Sequence, residues 1–316
     1  MSKTQSRLNS PKSLTISLSK SLTLLLLSGL VAISGCSVLD KDEPEPKYIH
    51  ITNFSLETPS NNTQGSNTHD IRDVWVDAQG LDVGVFEVPA TFPIILNSDT
   101  NTFIPILLQA GIKNNGRANN RIRYPFYKIL TDTINRSSGV MDTIRPIVKY
   151  VDNLKFPWLE DLEDRTISLE TSGADVSIDT ILLTNDSAEV FEYGPKNQYS
   201  AVVDMGVGEQ YFEASTIPTF DFPRGRPVYL EMNYKSDVAV QIGLSAFEGM
   251  SLRAQVPVLL LFPTGGEWKK VYISLGEDAN NADYTGMDFK VFFAARNSGE
   301  IDNPKIFLDN LKILHL

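Results

Sequence analysis

Residues 227–234 read PVYLEMNY, and apolar and polar side chains alternate along most of this stretch. Successive side chains of a β-strand point to opposite faces of the sheet, so the alternation predicts a strand. The two predicted faces are Val228, Leu230, Met232 and Tyr234 on one side, and Tyr229, Glu231 and Asn233 on the other. This part of the chain is therefore expected to lie in a β-sheet with an apolar core on one side.

Similar short segments follow this stretch along the chain. VPVLLLF (256–262) is a continuous apolar run, which is typical of a strand buried on both faces. EWKKVYISL (267–275) carries branched apolar residues at alternate positions, and FKVFFAAR (289–296) is a strand of the same kind. No long amphipathic helix is predicted after residue 46, so the predicted fold class is all-β.

The second half of the chain resembles a known fold. WLEDLEDRTISL (158–169), VFEYGPKNQYSAVV (190–203) and the closing IFLDNLKI (306–313) combine with the strands above into the pattern of a galactose-binding-like jelly roll. Many carbohydrate-binding modules use that fold. The resemblance covers residues 156–316 and implies a jelly-roll β-sandwich, but its motifs are structural and do not identify a ligand.

The first half is predicted to be a smaller domain, residues 47–155. KYIHITNFSL (47–56) is expected to be its first strand, and DIRDVWVDAQGLDVGVFEV (70–88) is expected to form a hairpin that turns at residues 77–80. This half resembles the small immunoglobulin-like or transthyretin-like β-sandwiches of exported proteins. DNLKFP (152–157) is the predicted boundary between the two domains.

The N-terminal segment predicts export. Residues 1–20 carry four basic residues and no acidic one, and the apolar run 22–33 then ends in small residues, which is the order found in a secretory signal peptide. The apolar run is shorter than the roughly 20 residues of a membrane-spanning helix. Cys36 follows Ile33-Ser34-Gly35 and resembles the lipobox of bacterial lipoproteins. The resemblance implies removal of residues 1–35 and acylation of Cys36; the alternative is an ordinary signal peptide with a coincidental cysteine.

Residues 36–46 are predicted to form an extended acidic tether, because prolines and neighbouring carboxylates disfavour a helix. The acidic residues resemble the export signal of surface-exposed lipoproteins of Bacteroidota, and a solvated spacer is the alternative. The acidic residues concerned are Asp40, Asp42, Glu43 and Glu45. This predicts a protein anchored by acyl chains in the outer membrane, with the folded part at the cell surface.

A second short pattern resembles the O-glycosylation sequon of Bacteroidota, in which Asp precedes Ser or Thr and a small or aliphatic residue. The hydroxyl residues in this pattern are Thr133, Thr143, Thr180 and Ser187. The alternative is that the aliphatic residues after them are ordinary strand residues.

Composition limits the function classes. The chain has 28 Lys and Arg against 39 Asp and Glu, a formal net charge of −11, so binding of nucleic acid is not expected. A single cysteine excludes a disulfide framework within one chain. The histidines His50, His69 and His315 have no metal-ligand spacing, and no P-loop, Rossmann or G-x-S-x-G motif is present.

Carboxylates offer the remaining chemistry. The densest cluster is Glu160, Asp161, Glu163 and Asp164. A glycosidase needs only two carboxylic acid side chains, one on each side of the bond that it cleaves, so such an enzyme is the catalytic alternative. A cluster of acidic residues of this kind is more often a solvated surface. Jelly rolls of the resembled type often hold a structural calcium. By that resemblance Glu160, Asp161 and Asp309 are the candidate ligands, and no other cofactor is expected.

Two further sets of residues are candidates for binding. Lys113, Arg117, Arg121 and Arg123 lie in a stretch without acidic residues and could hold an anionic partner; a solvated hairpin is the alternative. Aromatic candidates for contact with a glycan are Trp75, Trp158, Trp268, Tyr193, Tyr199 and Tyr211, and core packing is the alternative for the tryptophans.

These features predict a non-catalytic function. The predicted function is that of an interaction module, an accessory subunit of an outer-membrane barrel or transport complex, because no catalytic domain accompanies the jelly roll. The alternative is that the jelly roll binds a glycan at the cell surface. A glycan binder is expected to expose aromatic rings in a concave site, whereas a subunit is expected to expose a continuous apolar patch with a polar rim.

The proposed lipid anchor can be tested with Cys36→Ala. The variant is expected to be recovered as a folded, soluble protein, because the acyl chains have no other attachment point. Fractionation of cells into soluble and membrane fractions measures this, with Ser37→Ala as the matched control. A Cys36→Ala protein that still sediments with membranes and is released by detergent would contradict the lipoprotein prediction.

Overall fold

The computed structural model describes residues 46–96, 101–137, 139–172, 180–192 and 194–316. Cys36 and the acidic residues of the tether lie outside the described residues. Residues 47–94 and 98–316 form one compact unit, so both predicted domains belong to the same unit. Of the other unit, Met1–Pro46 with Ile95–Asn97, the structure describes residues 46, 95 and 96.

The regular secondary structure of the described chain is almost entirely β-strand, which confirms the all-β prediction. Its first part contains β1 (Lys47–Ile51), β2 (Ser55–Leu56), β3 (Asp73–Ala78), β4 (Leu81–Glu87), β5 (Ala90–Ile94), β6 (Phe103–Lys113), β7 (Arg121–Arg123), β8 (Leu130–Asn135), β9 (Asp142–Ile144) and β10 (Ile147–Val148). These form sheets of order β5-β1-β9, β10-β2 and β4-β3-β6-β7, with β8 also paired to β6.

The β3–β4 hairpin forms where the sequence predicts it. Its turn residues Gln79 and Gly80 have φ angles of 57° and 74°. Positive φ at both central positions suits the right-handed twist of the flanking strands. The hairpin positions Val74 and Val76 inside the first part, where they are buried together with Ile106 and Leu108 of β6.

The second part is a two-sheet sandwich. Its strands are β11 (Lys155–Glu160), β12 (Leu169–Thr171), β13 (Ile181–Thr184), β14 (Ser200–Asp204), β15 (Glu209–Thr216), β16 (Val228–Ser236), β17 (Val240–Glu248), β18 (Ser251–Leu261), β19 (Lys269–Ser274), β20 (Asp288–Ser298) and β21 (Lys305–His315). One sheet has the order β13-β14-β21-β16-β19, with β11 also paired to β21, and the other has the order β12-β15-β20-β17-β18. We call them the inner and the outer sheet.

Helical structure is minor in the described residues. α1 (Gly276–Ala279) is a single turn, and a 3₁₀ turn covers Ala282–Tyr284. Among these residues there is no helix with the length and apolarity needed to cross a membrane.

Alternate residues of the strands fill the core between the two sheets. Leu230 of β16, Ile242 of β17 and Phe293 of β20 are fully buried there. The sequence predicted one buried face for β16, but Tyr229, Glu231 and Asn233 on its opposite face are buried as well. The reason is that the first part of the chain packs against that face of the inner sheet, so the inner sheet is covered on both sides.

The prediction of a fully buried strand at 256–262 is wrong. β18 is an edge strand that pairs with β17 alone, and its burial alternates along the chain. Leu259 and Leu261 point into the core, whereas Leu260 and Phe262 are 45% and 70% exposed. A continuous apolar run therefore marks an edge strand here, with one row of apolar side chains left outside the sandwich.

A buried ionic network joins the two parts of the chain. Glu231 of β16 is fully buried, and its carboxylate accepts hydrogen bonds from the hydroxyl groups of Tyr124 (2.8 Å) and Tyr150 (3.0 Å). The same carboxylate faces the ammonium groups of Lys270 at 3.4 Å and Lys312 at 3.9 Å. The tyrosines come from the first part of the chain and the lysines from the inner sheet, so the carboxylate is shared between them.

Lys312 extends this network to the loop that follows β2. Its ammonium group donates to the backbone carbonyls of Gln64 (3.1 Å) and Ser66 (2.8 Å). Around it, Tyr124 makes edge-to-face contacts with Tyr127, Tyr229 and Tyr272 at centroid distances of 4.8 to 5.2 Å. Burial lowers the pKa of Lys312 to about 7, with the Glu231 carboxylate opposing that shift. Since a charge without a partner is costly in such a site, each member is held by the others.

Glu231→Gln tests this network. The variant is expected to lose about 3 kcal/mol of unfolding free energy, because Lys270 and Lys312 remain buried without a counterion. Urea denaturation measures the loss. Glu248→Gln is the matched control: its carboxylate pairs with Arg253 at the surface, and the expected loss is below about 1 kcal/mol. Equal stabilities of the two variants would show that Glu231 does not stabilise the fold.

Candidate functional site

A groove of about 1200 Å³ lies beside the ionic network, at the edge of the inner sheet. Its walls come from the loops 67–72 and 113–119, from residues 191–192 and from the end of β18. The strands β16 and β19 also line it. Segments from both parts of the chain therefore contribute to one concave site, which we call the groove.

The floor of the groove is the inner sheet. Asn233 of β16 lies opposite Lys270 of β19 in the strand pairing. The Thr68 hydroxyl donates to the side-chain oxygen of Asn233 at 2.9 Å and accepts from the Lys270 ammonium group at 3.3 Å. The Asp70 backbone N–H donates to the hydroxyl of Tyr272 at 2.9 Å. These contacts fix the loop 67–72 against the sheet, so the folded chain itself sets the shape of the floor.

Aromatic side chains form one side of the groove. Trp268 is half-buried, and its ring meets Phe191 edge-to-face at a centroid distance of 5.3 Å. Phe262, just after β18, also lines the groove and is 70% exposed, whereas the Tyr234 ring of β16 belongs to the core between the sheets. The groove thus combines rings held by packing with one freely exposed ring.

The opposite side of the groove is the loop 113–119. Asn115 anchors it: its backbone N–H donates to the Tyr272 carbonyl at 2.9 Å, and its side-chain oxygen accepts from the Ser274 N–H at 2.8 Å. Asn115 and Gly116 have φ angles of 53° and 66°, which suit the left-handed conformation of asparagine and glycine in tight turns. Beyond this anchor, Arg117 and Asn119 are exposed toward the groove.

The structure divides the basic residues that the sequence grouped together. Lys113 and Arg117 line the groove. Arg121 instead pairs with Asp73 at 2.5 Å and with Glu87 at 3.5 Å, and the Arg123 guanidinium lies over the Trp75 ring at 5.8 Å. The sequence could not show these partners, because Asp73 and Glu87 come from the neighbouring hairpin.

The carboxylates that the sequence analysis proposed as calcium ligands form hydrogen bonds that stabilise the fold. Glu160 accepts from the Leu162 N–H (3.3 Å), from the Ser168 N–H (2.6 Å) and from the Ser168 hydroxyl, and Asp309 accepts from the Ser200 hydroxyl at 2.6 Å. Asp161 accepts from the side chain of Asn62 at 2.5 Å. In the described part of the chain, no three acidic, histidine or cysteine side chains form a group that could hold a metal ion, so Glu160, Asp161 and Asp309 do not meet in one site.

The other members of the acidic cluster are also engaged. Glu163 accepts from the backbone N–H groups of Gln198 (2.8 Å) and Tyr199 (3.1 Å), and Asp164 accepts from that of Thr166 at 2.8 Å. These contacts hold the turn after β11 and the start of β14. Glu163 and Asp164 therefore stabilise local backbone structure.

The candidate aromatic residues occupy different environments. Trp158 is 5% exposed and belongs to the core, whereas Trp75 and Tyr199 are half-buried beneath Arg123 and Arg165. Tyr211 is half-buried on the outer sheet, and Tyr193 lies outside the described residues. Of this set, Trp268 lines the groove. The candidate O-glycosylation residues Thr133, Thr143, Thr180 and Ser187 are all exposed.

Sequence reasoning missed several residues of the groove. His69 lines it, and burial is the main reason why the pKa of this imidazole lies below its usual value. Asn67, Thr68, Asn233 and Phe262 line it as well. They come from separate segments, so no spacing in the sequence connects them.

No protein-family model matches this chain, and no curated protein matches it significantly. A solved carbohydrate-binding module of the β-sandwich superfamily is 14% identical, with 86% of this chain and 99% of that one covered and a TM-score of 0.35. TmCBM61, solved in complex with β-1,4-galactotriose, is 17% identical, with coverages of 48% and 92% and a TM-score of 0.31. CBM27-1 from Caldicellulosiruptor saccharolyticus, solved in complex with mannohexaose, is 16% identical, with coverages of 51% and 97% and a TM-score of 0.35. These values identify no family for this chain.

The buried carboxyl group of Asp309, in β21 of the inner sheet, is expected to make the unfolding free energy depend on pH. Burial raises the pKa of its carboxyl from 3.8 to about 7, so the folded state binds a proton more tightly than the unfolded state. The resulting stabilisation is complete below about pH 4 and is lost as the pH rises through 7. Asp309→Asn removes this titration. The variant is therefore expected to gain about 2–4 kcal/mol relative to the wild type between pH 4 and pH 8.

Chemical denaturation of both proteins across this pH range measures the difference. Asn leaves a constant cost of its own, because one carboxylate oxygen of Asp309 has no hydrogen-bond partner among the described residues, and an amide group at that place would be buried without a partner too. The pH dependence of the difference is therefore the informative quantity. A difference that stays constant with pH would contradict the raised pKa.

Proposed function

We propose that this protein is a non-catalytic carbohydrate-binding protein and that the groove is its binding site. The observation that carries the proposal is the composition of the groove, in which aromatic rings and amide side chains line one concave surface. The rings are Phe262 and Trp268, and the exposed amides are Asn67 and Asn119.

This combination suits the chemistry of a sugar chain. A pyranose ring presents C–H groups on its faces and hydroxyl groups around its edge. An aromatic ring offers a flat apolar surface to the C–H groups, and each amide offers both a donor and an acceptor to the hydroxyl groups. His69 adds one ring nitrogen that donates and one that accepts when the imidazole is neutral.

The size of the groove suits a chain of several sugar units. Sites for small molecules commonly have volumes of roughly 300–1,000 Å³. The groove, at about 1200 Å³, exceeds that range. An elongated oligosaccharide would therefore fill it better than a single metabolite.

The groove is also largely formed before binding. The Thr68–Asn233 and Asn115–Ser274 hydrogen bonds hold its two loops on the inner sheet, and the ionic network around Glu231 holds the two parts of the chain together. A preformed site avoids much of the entropic cost of ordering loops on binding. Acyl chains on Cys36 would place this site at the outer membrane, with residues 36–46 as the spacer to the folded part.

A second candidate function is docking to an outer-membrane protein complex. The observation that favours it is a set of exposed apolar side chains on the first part of the chain: Tyr48 of β1 is 50% exposed, and Val140 and Met141 before β9 are 60% and 52% exposed. β1 and β9 are paired in parallel, which brings these residues to one edge. Recovery of a stoichiometric outer-membrane barrel with the detergent-solubilised lipoprotein would favour this function.

Phe262→Ser tests the proposed binding site. The exposed ring makes a small contribution to packing, so the variant is expected to keep its thermal stability while it loses about tenfold in affinity for its oligosaccharide. A glycan array that carries neutral and acidic oligosaccharides identifies the ligand, and isothermal titration calorimetry measures its affinity.

Phe103→Ser is the matched control, because Phe103 of β6 is 64% exposed and does not line the groove. Its affinity is expected to equal that of the wild type. An array without any bound oligosaccharide, or equal affinities for the wild type and Phe262→Ser, would contradict carbohydrate binding in the groove.

A further inference from the structure

The charge of the groove is opposite to that of the chain. The chain has a net charge of −11. Basic residues nevertheless outnumber acidic ones among the side chains that line the groove: Arg72, Lys113, Arg117, Lys269 and Lys270 against Asp70 and Glu192. In an acidic protein, such a local excess of positive charge attracts anions selectively to one place.

Two of these cations are already neutralised. Arg72 pairs with Asp70 at 2.5 Å, and Lys270 pairs with Glu231 at 3.4 Å while it donates to Thr68. These cations hold the loop 67–72 and the floor of the groove. They belong to the framework of the site.

The other three cations have no such partner. Lys113, Arg117 and Lys269 line the groove, and no carboxylate of the described residues lies within ion-pair distance of them. Glu192 is the one acidic side chain of the lining that is left outside an ion pair in the described chain. The balance of unpaired charge that a ligand meets is therefore positive.

The groove places these cations next to groups that bind hydroxyls. Arg117 and Asn119 share one loop, and Lys269 directly follows Trp268 in the chain. His69 is held largely neutral near neutral pH because burial lowers its pKa, so it acts as a hydrogen-bonding group instead of a further cation. Cations that can bind an anionic group therefore lie on the same surface as groups that can bind the hydroxyls and rings of a sugar.

We infer that the groove selects an anionic saccharide, a sugar chain that carries carboxylate or sulfate groups, and that Lys113, Arg117 and Lys269 bind those groups. This inference rests on the proposed function and narrows its ligand class. Hydrogen bonds between a cation and an anion are stronger than neutral ones, and arginine binds planar carboxylates through two parallel N–H groups. The neutral amides and rings would hold the sugar backbone between the charges.

The experiment compares three probes on the full protein: hexagalacturonate, a sulfated carrageenan hexasaccharide, and a neutral β-1,4-galactan hexasaccharide. At least one acidic probe is expected to bind the wild type about tenfold more tightly than the neutral probe. The affinity for that acidic probe is expected to fall with added salt, since the contacts are ionic and partly exposed.

The variant Lys113→Gln, Arg117→Gln, Lys269→Gln removes the unpaired cations. It is expected to lose at least about tenfold in affinity for the acidic probe and to bind the neutral probe as the wild type does. The matched control is Arg145→Gln, Lys155→Gln, Arg226→Gln, which changes the net charge equally at exposed residues outside the groove. This control is expected to leave both affinities unchanged.

The outcomes separate the inference from the proposed function. Equal binding of neutral and acidic probes, or an equal loss in both triple variants, would overturn the inference while carbohydrate binding stands. Failure of all three probes together with an empty glycan array would overturn both. If the triple variant unfolds at a lower temperature than the wild type, Arg117→Gln alone provides the test, because Arg117 is exposed and its backbone makes its hydrogen bonds with Asn114 and Asn120.

Discussion

The position of one buried carboxylate governs how this chain is assembled. Glu231 has no access to water, so its charge must be balanced within the protein. Lys270 and Lys312 balance it from the inner sheet, and the hydroxyl groups of Tyr124 and Tyr150 complete its hydrogen bonds from the first part of the chain. The first part cannot move away from the sheet without leaving these groups unpaired. The walls of the groove, which come from both parts, are therefore held in a fixed relation.

This constraint also explains why an unusual strand sits at the centre of the structure. β16 carries apolar residues toward the core and Tyr229, Glu231 and Asn233 toward the first part of the chain. A sheet that is covered on both faces usually has apolar residues on both. Here the second covered face is polar and aromatic instead, and its polar groups are satisfied by side chains and loop carbonyls. The specificity of those hydrogen bonds determines how the two parts fit together.

The sequence predicted the strands well because alternation reports which face of a strand meets a core. It predicted the β3–β4 hairpin and the all-β class, whereas the two halves that it treated as separate domains lie in one compact unit. It failed at 256–262, because an apolar run does not distinguish a central strand from an edge strand whose outer row lines a groove. It found Lys113 and Arg117 but grouped them with Arg121, whose partner Asp73 lies on another strand. Most of the groove was invisible in the sequence, since its residues are brought together by strand pairing and by the network around Glu231.

The attachment of the loop 113–119 has a consequence for evolution. The loop is fixed to β19 through the backbone and side chain of Asn115, and the turn conformation depends on Asn115 and Gly116. Residues 117–119 contribute exposed side chains to the groove but carry little of this attachment. Substitutions at these positions can therefore change the surface that the groove presents at almost no cost in stability. Divergence among related chains is expected to concentrate there, while Asn115 and Gly116 are retained.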